Sequence, residues 1–257
     1  MVQDLSTHFI GRLRARDPQA WFELWEIFGP ILRAQIARWG KGRIGAETVQ
    51  DLSQETLAAL SQAIDSHDPD RGVRFSTWLL AIAKYTLSDE FDRRMAQKRG
   101  SGKKPLDLEA AAGASSEGLS PDQTYSQLVF GAKVEAAIRM VERESDFVDF
   151  SVYRMRVLEG QSGKAVAEGL GCSEATVSRR LARVRDLLRE RLGEVIGRYS
   201  FTEEERDEAS RNGLELLPNK SSDPLFDDAV AEVYHRYSAA RADGFGATAT
   251  GADPLGG

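Results

Sequence analysis

Apolar residues along the first hundred positions recur at three- and four-residue steps, the spacing that places them on one face of a helix. Asp17-Pro18 is a helix start, with a capping side chain followed by proline at the first helical position. Trp21, Leu24, Trp25, Phe28, Ile31, Leu32 and Ile36 then form one apolar stripe. A second helix is predicted from about Ala46, with Val49, Leu52, Leu57, Leu60 and Ile64 inward. A third begins near Phe75 and runs through Trp78, Leu79, Ile82, Tyr85 and Leu87 to Arg94. No alternating strand pattern of useful length interrupts them, so the expected fold class is all-α.

Residues 100–124 break the pattern with glycine, proline, serine and alanine, the composition of a flexible linker. A second helical block follows, from about Gln127 to Ile196. Beyond it, Thr202-Glu203-Glu204-Glu205 has the spacing of a capping box, threonine at the cap and glutamate three residues on. Asp223-Pro224 starts another helix, with Leu225, Ala229, Val230, Val233, Tyr234 and Tyr237 on one side. The expected organisation is a helical domain over residues 1–99, a linker over 100–126, a second helical domain over 127–197 and a partly helical extension over 198–257.

Charge changes this picture only once it is located. The 257 residues carry a net charge of −6, unpromising for a nucleic-acid binder. From Arg198 onward, however, there are 12 acidic and 6 basic residues, so the extension accounts for all of it. The rest is neutral, with basic clusters at residues 84–104 and 179–191. Local charge is therefore the better guide to partners. The single cysteine, Cys172, excludes an internal disulfide, and the three histidines are far apart in sequence. No cofactor, metal or catalytic apparatus is expected. Neither a signal-peptide core nor an apolar run of roughly 20 residues is present, which leads to the expectation of a cytoplasmic chain without a membrane span.

The sharpest local motif is GKAVAEGLGCSEATVSRRLA, residues 163–182. Val166 and Leu170 supply the inner face of a first helix, Val177 and Leu181 that of a second, and Gly171 suits the tight turn between them. The second helix then carries Arg179, Arg180, Arg183, Arg185, Arg189 and Arg191 against Glu174, Asp186 and Glu190. A helix of this kind fits the major groove, where arginine binds phosphate or reads guanine edges.

Two blocks narrow the class. DLSQE at residues 51–55 and DPDRGVRFSTWL at 68–79 together resemble the second conserved region of the sigma-70 family of transcription initiation factors. VYRMRVLEGQSGKAVAEGLGCSEATVSRRLARVRDLLRERL at 152–192 resembles the fourth conserved region of the same family, and order and spacing agree over about residues 10–195. The lack of recognisable first and third regions resembles the small extracytoplasmic-function group. This resemblance implies a factor that joins core RNA polymerase, recognises the −10 and −35 promoter elements and opens the strands.

The same resemblance implies residue roles. Asp51, Gln54 and Glu55, on the face opposite Leu52 and Leu60, would dock on the clamp helices of the polymerase β′ subunit, with the β flap as a further polymerase contact. Arg71, Arg74, Phe75, Trp78, Lys84 and Tyr85 match positions around the −10 element, where aromatic stacking and arginine contacts offset the cost of strand opening. Trp78 also suits the core, and Tyr85 stands where asparagine is common in the family. Ser178, Arg179, Arg180, Arg183 and Arg185 match positions facing the −35 element. The acidic extension departs from the minimal pattern. It would fold back on the basic DNA-reading surface, bind a regulatory partner such as an anti-sigma protein, or simply add packing helices. Two other readings compete: a helix-turn-helix regulator that binds an operator without joining polymerase, and a helical adaptor that binds no DNA.

Overall fold

The computed structural model describes residues 2–40, 42–67, 74–99, 123–217 and 222–249, and all regular structure among them is helical. Two compact units divide the chain, the first made mainly of residues 3–129 and the second of residues 130–239. Most of the stretch read as a linker lies outside the described residues, but its last positions do not: a helix is already formed at Gln123.

In the first unit α1 (Val2–Arg14), α2 (Pro18–Gly40), α3 (Ala46–Ala63) and α4 (Phe75–Arg99) enclose one apolar core. Phe9, Ile10, Leu13, Leu24, Phe28, Ile31, Leu32, Ile36, Leu52, Leu60 and Leu79 are all buried in it. The Asp17 side chain caps α2 by accepting from the Gln19 amide at 2.9 Å, and Arg12 pairs with the same carboxylate at 2.7 Å. That pairing holds the Asp17 pKa below its ordinary value, chiefly through the Arg12 hydrogen bond. Between α3 and α4 the buried hydroxyls of Thr56 and Thr86 lie 3.0 Å apart, so both are satisfied without water. A buried polar contact of this kind fixes the register of two otherwise slippery helix faces.

The second unit takes in most of α5 (Gln123–Glu144), followed by α6 (Phe147–Tyr153), a wide π turn over Arg154–Leu158, α7 (Gly163–Gly169) and α8 (Glu174–Tyr199). Two short helices follow, α9 (Glu203–Arg206) and α10 (Glu208–Arg211), then α11 (Asp223–Ala249), of which the part up to residue 239 belongs to this unit. The capping box read at Thr202 is complete: its hydroxyl accepts from the Glu205 amide at 3.2 Å, and the Glu205 carboxylate accepts from the Thr202 amide at 3.1 Å. Helix α11 is a core element here, with Phe226, Val230, Val233 and Tyr237 all buried. Each such side chain contributes about 1.5–3 kcal/mol of burial. Tyr237 sits directly on Gly131, where an added Cβ would fall 2.7 Å from it, so only glycine lets these two helices approach so closely.

The turn between α7 and α8 follows the sequence reading, with one difference. Gly171 has φ +61°, the left-handed conformation expected of a turn glycine. Leu170, expected on the inner face, is instead 38% exposed, because α7 ends at Gly169 and Leu170 has already left the helix. Ser162 caps α7 through the Ala165 amide, and Ser173 caps α8 through the Thr176 amide. Gly171→Ala should lower folding stability by about 1–2 kcal/mol, the cost of forcing an L residue into this conformation, as read from urea denaturation midpoints.

Candidate nucleic-acid interface

Helix α8 carries seven arginines, and the elements packed around it sort them. Val177, Leu181, Val184, Leu188 and Leu192 form its buried stripe. Ser178 and Arg179, near its N-terminal end, are exposed. In a helix-turn-helix the N-terminal residues of the second helix are those that reach base edges, and these two are so placed. Arg180 and Arg183, one turn further on, both reach Asp149 of α6, at 2.5 and 3.2 Å.

Arg185 occupies a different environment from its neighbours. It is only 9% exposed. Its Nε and Nη2 donate to the two Asp227 oxygens at 3.0 and 2.5 Å, a bidentate fork, and its Nη1 donates to Asp223 at 2.9 Å. Arg189, one turn along, pairs with Asp223 at 2.9 Å and lies over the Phe226 ring, 4.6 Å from its centroid. Burial works against the Arg185 charge, but Asp227 and then Asp223 outweigh it and raise the guanidinium pKa. Arg191 is taken by Glu144 at 2.7 Å and by Glu194 at 2.5 Å. The C-terminal half of α8 therefore meets carboxylates of α5, of α8 itself and of the extension, while Ser178 and Arg179 near its N-terminal end face outward.

Resemblance matched Arg185 to the positions facing the −35 element; in the structure it points to the extension. About twelve residues, or roughly 18 Å, separate it from the start of α8, and its donors are committed to α11. A sequence signal for this existed. Arg185 and Arg189 lie four apart on the same side as Leu181 and Leu192, and Asp223 and Asp227 repeat the same four-residue spacing on the extension. Tyr153 completes the group, its hydroxyl donating to Asp227 at 3.4 Å. Sequence reasoning also missed Asp149, a lone carboxylate in a short helix with no motif around it.

In the first unit Asp51, Gln54 and Glu55 are exposed on α3, while Leu52 and Ser53 between them are buried. The aromatic residues matched to the −10 element are less accessible. Phe75 and Trp78 are 1% and 7% exposed. His67 stacks on Trp78 with ring centroids 4.5 Å apart and meets Phe75 edge-on at 5.6 Å, as Phe28 does at 5.7 Å. Both rings thus belong to the core beneath the start of α4 and offer no open face to a base in this conformation. Arg74 is half-buried and donates to the Ser126 hydroxyl at 3.3 Å, Lys84 is exposed and Tyr85 half-buried. Arg71 lies outside the described residues. Among the described residues no cluster has the makings of a metal site, and no helix is long and apolar enough to cross a membrane.

Comparison with known proteins adds a decisive observation. The profile of sigma-70 region 2 matches residues 28–97, which span α3 with its exposed acidic face and almost all of α4. Residues 28–97 thus carry the second conserved region of the sigma-70 family. The chain is also 29% identical over 138 residues to RNA polymerase sigma factor CnrH of Cupriavidus metallidurans, covering 53% of this chain and 69% of that protein. The sigma-70 match places the acidic face and the aromatic cluster in one conserved region.

Two outcomes test the ion-pair cluster. Asp227→Ala leaves Arg185 buried beside a single remaining carboxylate and should destabilise the chain by about 3–5 kcal/mol, read from denaturant midpoints. Burial, and then the charge of Asp227, raise the Tyr153 pKa well above its ordinary value. The resulting stabilisation is whole below about pH 10, the ordinary tyrosine range, and is lost as pH climbs toward the folded-state value. Tyr153→Phe should accordingly flatten the loss of stability above about pH 10 in urea titrations at stepped pH.

Proposed function

We propose that this chain is an RNA polymerase sigma factor of the extracytoplasmic-function type, which binds core polymerase, recognises the −10 and −35 promoter elements and promotes strand opening. The observation that carries the reading is the sigma-70 region 2 match over residues 28–97, within which the exposed Asp51-Gln54-Glu55 face lies. That face is the docking surface for core polymerase, on the β′ clamp helices, with a second contact on the β flap. Acidic side chains exposed together on one helix suit a basic partner surface. Regulation of transcription, rather than catalysis of its own, is then the activity, and the cytoplasm, where polymerase works, is the compartment.

Promoter contacts divide between the units. Around the −10 element, Arg71, Arg74, Lys84 and Tyr85 make the direct contacts, with Phe75 and Trp78 supporting the start of α4 from below. At the −35 element, Ser178, Arg179, Arg180 and Arg183 face DNA, and phosphate contacts outnumber base contacts among them. Arg185 anchors the extension. Each module alone binds weakly and with strong salt dependence. Joining both on one polymerase makes the second contact intramolecular, at an effective concentration that reaches millimolar.

The extension functions as part of the −35-reading half, because its apolar face supplies core residues and its carboxylates neutralise Arg185 and Arg189. Core RNA polymerase should be retained by the immobilised wild-type chain and lost in Asp51→Arg/Glu55→Arg. Failure of the wild type to retain polymerase would instead favour the operator-binding regulator.

A further inference from the structure

Where α6 packs on α8, one buried carboxylate holds two outward-facing cations. Asp149 stands in the first turn of α6, its amide donating to the capping side chain of Asp146 at 3.3 Å. Its side chain is 10% exposed, so its oxygens need protein partners. They find them on α8, in Arg180 Nη1 at 2.5 Å and Arg183 Nη1 at 3.2 Å, one to each oxygen. Asp146 adds a looser contact to Arg180 at 3.8 Å. Three residues apart on a helix, the two arginines are surface neighbours.

What separates this from an ordinary core ion pair is where the arginines lie. The Arg183 side chain remains 70% exposed and that of Arg180 30% exposed. A guanidinium has five N–H donors, and Asp149 takes one nitrogen of each. Most of the donors of Arg183 are left facing solvent, on the stretch of α8 that begins with exposed Ser178 and Arg179.

We propose that Asp149 is a positioning residue for sequence reading by α8, a role that rests on the DNA-reading function proposed above. It fixes Arg180 and Arg183 in one arrangement before DNA arrives, so less side-chain freedom is lost when they meet a base edge. It also offsets one of their two positive charges. Affinity for arbitrary duplex follows the number of phosphates neutralised, so a retained carboxylate weakens indiscriminate binding while leaving the hydrogen-bond donors for bases. Asp149 thereby raises the ratio of specific to non-specific binding, although it touches no DNA itself.

The test uses the full chain reconstituted with core RNA polymerase and a duplex pool randomised over about ten base pairs, one turn of DNA. Asp149→Asn, nearly the same shape without the charge, should lose about tenfold in preference at one or two adjacent base pairs. It should at the same time bind unrelated duplex more tightly, with a salt dependence steeper by about one ion. Asp149→Glu should retain part of the preference. Should Asp149→Asn fail to give a wild-type circular-dichroism melt, Arg180→Lys replaces it, with the same loss of preference expected at an unchanged salt slope. Base preferences identical to wild type, or a uniform drop for specific and unrelated duplex alike, would overturn the proposal. A wild-type chain that enriches no sequence at all would refute the DNA-reading function itself, and the role of Asp149 with it.

Discussion

A guanidinium has no neutral form to retreat to, so an arginine on a packed helix must either reach solvent or be met by a carboxylate. Helix α8 carries seven of them, and this constraint organises the second unit. Asp223 and Asp227 meet Arg185 and Arg189, Glu144 and Glu194 meet Arg191, and Asp149 meets Arg180 and Arg183. Without the carboxylates of α11, Arg185 would be left without a counter-charge, and Arg189 would keep only Asp186 of its own helix, 3.7 Å away. The extension is thus a structural consequence of the arginines it covers. It limits the cationic surface to the N-terminal half of α8, the end a major groove admits.

The first unit applies the opposite rule. Its acidic residues on α3 are left exposed, while the aromatic residues of α4 and the ring of His67 are drawn together in the core. Under the function proposed above, the two units have complementary duties, one offering an acidic face to polymerase and an α4 edge to the −10 element, the other a cationic helix end to the −35 element.

Much of this was legible from residue order. Helical periodicity predicted α2, α3 and α4 close to their observed spans, although α4 runs on to Arg99 rather than ending at Arg94. Gly171 marked its turn, and Thr202 with Glu205 marked a helix start. These are local signals, in which one or two residues suffice to set backbone conformation. Charge partnership is not local. The spacing of Arg185 and Arg189 is matched by that of Asp223 and Asp227 some forty positions later, but spacing alone does not say that the two pairs meet. Asp149 was silent for the same reason, since a single acidic residue in a seven-residue helix has meaning only once α8 is laid against it. Trp78 suited the core from its sequence position, whereas Phe75 was expected at the −10 element, and both are buried.

The most direct measurement places a photoreactive side chain at position 179 or at position 185 of the full chain and irradiates its complex with core polymerase and promoter DNA. The division of α8 described above predicts crosslinks to DNA near the −35 element from position 179. From position 185 it predicts crosslinks within the chain, to the start of α11. Crosslinking to DNA from position 185 as strong as from position 179 would contradict it, and would mean that the extension leaves α8 when the promoter is bound.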